Sequence, residues 1–145
     1  MRVVLDTNVL IAGLRSAGGA SFQVLQRLGG DAFIPCVSVP LILECEAVAK
    51  RQARELGLSF SDIDDVLDYI CSIAEPHSIF YLWRPQREDI SINQLIATAL
   101  AEKMSALMTS EYLAARADRG SRKKFDRVRK KVKQAGHAPV RGDEV

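Results

Sequence analysis

Two carboxylates stand where this sequence could do chemistry. Asp6 ends a short apolar run, Met1 to Leu5, and is followed by the small polar residues Thr7 and Asn8. Glu44 lies inside a segment of helical spacing that begins at Ser38. An apolar run of strand length that stops at Asp reads as a buried parallel strand emerging at a carboxylate. In open parallel sheets ligands bind beyond the carboxyl ends of the strands, which is where Asp6 falls. Two carboxylates brought into one partly apolar crevice repel each other unless a cation sits between them. The chemistry such a pair supports is therefore that of a bound cation. Each residue also has a plainer reading: Asp6 can be the N-cap of the helix that follows the strand, and Glu44 can be a solvated helix residue. The residues alone leave both readings open.

The elements that must position these groups follow from apolar spacing and punctuation. Asn8 to Leu14 reads as a short helical turn, loosened by Gly13 and the Gly18-Gly19 pair. Ser21 is expected to cap the next helix, whose apolar positions Phe22, Val24, Leu25 and Leu28 end at Gly29-Gly30. Ala32 to Val37 is a second apolar run of strand length. Ser38 is a good N-cap and Pro40 sits in the first turn, where its missing N–H costs little. Leu41, Ile42, Cys45, Val48 and Ala49 then recur at helical spacing, with the helix expected to reach Leu56 and stop at Gly57.

Ser61 is expected to cap a further helix, with Asp62, Asp64 and Asp65 near its positive end as dipole and solvation residues. Ile63, Val66, Leu67 and Ile70 face inward in this reading, and Pro76 closes the element. Ser78 to Trp83 reads as a third strand, Ser91 to Met104 as a helix, and Ala106 to Thr109 as a fourth short strand. From Glu111 a helix is expected to run through a basic cluster to a disordered end at Gly136 to Val145. This alternation predicts an α/β fold, a parallel sheet flanked by helices, with a basic C-terminal helix and tail.

The 145 residues make one compact domain the default. With 48% apolar and 26% charged residues the composition is that of a globular chain, which needs no disulfide or structural metal to fold at this size. Cys36, Cys45 and Cys71 are odd in number and widely spaced, and they fit neither a disulfide framework nor a zinc pattern. They read as reduced thiols in a cytoplasmic protein. No membrane span is expected, and Asp6-Thr7-Asn8 cuts the first apolar run before it could serve as a secretory signal. His77 and His137 are isolated and read as surface histidines. The net charge of +2 conceals an asymmetry. Arg119, Arg122, Lys123, Lys124, Arg127, Arg129, Lys130, Lys131 and Lys133 cluster against Asp126, while the chain before them is net acidic. On charge alone this is either a polyanion contact or a solvated basic helix.

The stretches "VVLDTNVLIAGL" and "SVPLILECEAV", with the glycine-bearing turn at Gly18-Gly19, resemble the PIN-domain family, especially toxin components of bacterial toxin-antitoxin pairs. The resemblance covers roughly residues 1 to 85. It implies a PIN-like domain over 1–112 followed by a basic helical extension over 113–145. It also implies an Mg²⁺- or Mn²⁺-dependent endoribonuclease with Asp6 and Glu44 as metal ligands, RNA as substrate, a cognate antitoxin as partner, and a homodimer. The family pattern has a third acid at the start of the helix after the third strand, and a fourth after a short strand ending in Thr. Here Asn93 stands at the third place, with Asp89 one turn earlier as a metal ligand in its stead, and Glu111 lies just past Thr109. Asn in place of a carboxylate removes about 8 kcal/mol of gross Coulomb attraction to a divalent ion about 4 Å away at an effective dielectric near 20.

A second resemblance overlaps this departure. "DISINQLIATALAEKMSALMTSEYLAARADRGSRKKF", covering about residues 89 to 125, is similar to the second helix and tail of ribbon-helix-helix antitoxins. It implies a rival function, a non-catalytic regulator that binds operator DNA or a toxin partner through the C-terminal segment and keeps a decayed PIN domain as a dimerisation scaffold. The paired strand that such a DNA reader needs should precede Asp89, where the apolar "SIFYLWRPQ" stands instead.

Overall fold

The structure is a computed structural model that describes residues 1–77 and 110–144. The expected strands at 78–83 and 106–109 and the helix at 91–104 lie outside the described residues, and Asp89 and Asn93 with them. Three short strands, β1 (Arg2–Val4), β2 (Ile34–Val37) and β3 (Glu75–Pro76), form a parallel sheet with β2 in the middle. Val4 pairs with Cys36, and Cys36 in turn pairs with Glu75. Helices α1 (Thr7–Arg15), α2 (Ala20–Gln26), α3 (Val39–Arg51), α4 (Ala53–Leu56) and α5 (Phe60–Ile73) connect the strands. Residues 110–118 form α6, and α7 spans Arg122–Ala135. The parallel sheet flanked by helices is the α/β architecture that the alternation predicted.

Capping chemistry sets most of the helix starts. Ser38 accepts from the Leu41 N–H to start α3, with Pro40 in its first turn. The start of α5 is at Ser59 rather than Ser61. Asp62 falls three residues after Ser59 and answers it, so that Ser59 Oγ takes the Asp62 N–H and Asp62 takes the Ser59 N–H. The helix expected to run from Ser38 to Leu56 breaks at Gln52 into α3 and α4. Gly13, read from sequence as a loosening residue, is instead a point of close approach: a Cβ there would lie 2.6 Å from Leu25 Cδ1, on the fully buried side of α2. Pro76, expected to end the element before it, lies within β3, and the chain continues in register as the His77 N–H donates to Val37 O.

Buried residues of α1 to α5 and of β2 form one core with Leu113, Phe125, Val128 and Val132 from the C-terminal segment. Tyr69 of α5 stacks on Phe125 of α7 with ring centroids 4.5 Å apart. Charge reinforces this seam. Asp62, Asp65 and Asp68 recur on one side of α5 and meet Lys131, Lys124 with Arg127, and Arg116 with Arg119, respectively. The sequence reading assigns Asp62, Asp64 and Asp65 to the helix dipole and to solvent. Asp62 and Asp65 serve as the acidic half of the α5–α7 contact, and Asp64 pairs with Lys50.

The helix expected from Glu111 onward is interrupted between α6 and α7 at Gly120, where a Cβ would lie 2.4 Å from the Ser72 Cβ. Where disorder was expected from Gly136, the tail folds back over α1 and α2. Ser16 Oγ donates to His137 O, and Glu144 bridges to Gly19. The Ala20 N–H donates to Asp143 O, and the Ser21 N–H to Asp143 Oδ1. Ser21 therefore does not cap α2. Gly19 at the cap position offers no side chain, and the distant Asp143 carboxylate takes that role.

Candidate metal centre

At the end of β1, Leu5 turns into the core and the chain changes direction at Asp6, which is exposed. The Asp6 carboxylate accepts the Asn8 N–H at 2.7 Å and so caps α1, satisfying one of the unpaired N–H groups of its first turn. Thr7, the next residue, is buried. On α3 the helical rotation that buries Cys45 leaves the preceding Glu44 exposed. Thr7 Oγ1 and Cys45 Sγ lie 3.5 Å apart, so the residues immediately after the two carboxylates touch across the α1–α3 contact. Burial pushes the Cys45 thiol pKa up, the bond from Thr7 works against that rise, and the negative charges of Glu44 and Asp6 both add to it. The two carboxylates thus bear on one buried sulfur.

Their charge environment differs from that of the neighbouring acids. Glu46 lies 2.6 Å from the Lys50 ammonium and 2.8 Å from Arg116, and Glu55 lies 2.9 Å from Arg15. Among the described residues neither Asp6 nor Glu44 has a basic side chain within ion-pair distance. A carboxylate offers about four lone-pair sites. The single bond from Asn8 leaves Asp6 able to bind further. Unneutralised oxygen donors near the carboxyl edge of a parallel sheet fit a hard divalent cation that retains water, as Mg²⁺ and Mn²⁺ do.

Glu111 is exposed on α6. Among the described residues, the side chains able to bring three ligand atoms within 4.8 Å of one another are Cys36, Glu75 and His77, and Glu111 does not complete such a group with Asp6 and Glu44. Two features here were not read from the sequence. One is the Thr7–Cys45 contact. The other is Arg116, 5% exposed, which reaches Glu46, Asp64 and Asp68 and donates to the Tyr112 hydroxyl. Burial works against the Arg116 charge, and Tyr112, Glu46 and Asp68 more than offset it, so its pKa rises further.

The basic cluster is largely engaged within the molecule. Lys124, Arg127 and Lys131 pair with α5, while Arg122 donates to Leu28 O and the Tyr69 hydroxyl. Among the described residues Lys123 and Lys130 have no acidic partner and face outward. No helix among the described residues is long and apolar enough to cross a membrane.

The PIN domain family model matches residues 2–113 of the chain. No curated protein and no solved structure matches it.

Proposed function

The chain belongs to the PIN domain family, a nuclease-type fold, and on that premise we propose that it is a metal-dependent endoribonuclease of the toxin type. Asp6, Glu44 and Asp89 would hold Mg²⁺ or Mn²⁺, with Asn93 and Glu111 as catalytic residues outside that ligand set. When bound, such a cation lowers the pKa of a coordinated water and offsets charge on the scissile phosphodiester. The observation that supports this reading is that two carboxylates without a basic partner among the described residues each adjoin in sequence a residue of the Thr7–Cys45 contact. Thr7 and Asn8 hold the chain at Asp6 in one direction, so its carboxylate is oriented before any ligand arrives. At that site Asn93 would contribute an amide oxygen and an amide N–H rather than a charge, which could orient a phosphate or a water without adding attraction to the cation. An antitoxin partner, a homodimer and a cytoplasmic location go with the toxin reading and rest on the sequence resemblance.

Cleavage of single-stranded RNA in Mn²⁺ by the wild type and by Asp6→Asn tests the activity. The expected outcome is cleavage that falls at least about a hundredfold in the variant. Equal rates, or no cleavage by either protein, would remove the enzyme.

The regulator reading retains one specific support, the outward-facing Lys123 and Lys130. Salt-sensitive binding of duplex DNA, weakened in Lys123→Ala/Lys130→Ala, would favour it.

A further inference from the structure

We propose that Cys36, Glu75 and His77 form a second cation site, independent of Asp6 and Glu44, that takes a thiophilic divalent ion of the Zn²⁺ class. The sheet register builds it. Cys36 on β2 pairs directly with Glu75 on β3, and parallel neighbours lie about 4.8 Å apart. Side chains alternate faces along a strand, so Glu75 and His77, two apart, project from the same face as their partner Cys36. One ligand atom from each of the three lies within 4.8 Å of the others. His77 Nε2 is 3.9 Å from Glu75 Oε2. In a tetrahedral zinc site with bonds of about 2.0–2.3 Å, ligand atoms sit about 3.3–3.8 Å apart, so a closure of about 1 Å brings the set to binding distance.

The donor chemistry selects the ion. Oxygen-only sites suit Mg²⁺ and Mn²⁺, whereas a thiolate with an imidazole favours Zn²⁺ and its neighbours in the transition series. A thiolate and a carboxylate bring two negative charges, the second shared with Arg2 at 2.6 Å, and the neutral imidazole adds none, so the ion and Arg2 divide the Glu75 lone pairs. Arg2 donates to Glu75 through Nε at 2.6 Å and orients that carboxylate from outside the ligand set. The His77 backbone is pinned by its bond to Val37 O at 2.7 Å. Cys36 is 6% exposed, while the Glu75 and His77 side chains are 39% and 55% exposed, so the ion enters from solvent and keeps a fourth position for water. Bound there, it clamps β3 to β2.

Cobalt substitution tests the site in the full-length, reduced, chelator-treated chain. Co²⁺ should produce a thiolate-to-cobalt charge-transfer band that Zn²⁺ abolishes and excess Mg²⁺ does not. Cys36→Ser should lose the band. His77→Ala, at an exposed position that tolerates change, should weaken binding at least about tenfold, the loss expected even for an outer-shell partner of a metal ligand. Asp6→Asn should keep the band at wild-type affinity. Absence of a band in the wild type would overturn the proposal. So would its persistence in Cys36→Ser, which would assign it to Cys45 or Cys71, or wild-type affinity in His77→Ala.

Discussion

Asp6 is an N-cap whose carboxylate keeps room for a ligand, so the two readings that the sequence sets against each other are compatible. It is the N-cap of α1, and it is a carboxylate with no cationic neighbour among the described residues. One bond to Asn8 uses one lone pair, so the cap does not exclude a ligand. Asp6 and the helical placement of Glu44 were legible because an apolar run, a polar corner and a capped amphipathic helix are local signals. Arg116 was not legible, because its partners Glu46, Asp64 and Asp68 lie far away along the chain and no spacing rule links them. Arg116→Met should destabilise the fold by about 3 kcal/mol, since it leaves the buried Asp68 with only the solvent-exposed Arg119 as counter-charge. Urea denaturation measures this, and a loss under about 1 kcal/mol would mean that the network contributes little.

At the scale of elements, the contact between α5 and α7 changes the meaning of two sequence signals at once. The aspartates of α5 and the basic run after Arg119 were each assigned to solvent or to an outside partner, because charge patterning within one segment does not reveal that another segment carries its complement. The apolar face of α7, Phe125, Val128 and Val132, sits in the core and fixes which basic residues turn toward α5. Burial opposes ionisation of Asp62, but Lys131 and the Ser59 cap outweigh it and hold its carboxyl below the ordinary value of 3.8. A carboxylate whose folded pKa is depressed contributes stability in full above its ordinary value, and that contribution is lost as pH falls through the folded value. Asp62→Asn should therefore flatten the acid limb of a stability-versus-pH curve and lower stability at neutral pH. An acid limb identical to that of the wild type would show that the Ser59–Asp62–Lys131 cluster is not linked to folding.

For the molecule as a whole, the C-terminal segment is part of the domain, although the family match ends at residue 113. Leu113, Phe125, Val128 and Val132 complete the core, and residues 136–144 return to α1 and α2. Composition gave no sign of the docked tail, since His137 to Glu144 is polar, short and rich in turn residues, the pattern of a free end. The signal that could have found it is negative: Gly19 leaves α2 without its own cap, and an uncapped buried helix start calls for a partner from elsewhere. Asp143→Ala should cost about 1 kcal/mol, the usual value of an N-cap, read as a fall in melting temperature. A larger or equal effect from Asp143→Asn than from Ala would contradict the capping role, because Asn caps nearly as well.

The claim at the centre of this account is that Asp6 and Glu44 share one divalent ion. Mn²⁺ binding followed by electron paramagnetic resonance, in the wild type, Asp6→Asn, Glu44→Gln and the double variant, measures it without reference to any substrate. Each single change should weaken binding at least about tenfold, and the double change should weaken it by much less than the product of the two, as for residues acting on one ligand. Unchanged affinity in either single variant, or two independent losses that multiply, would contradict it.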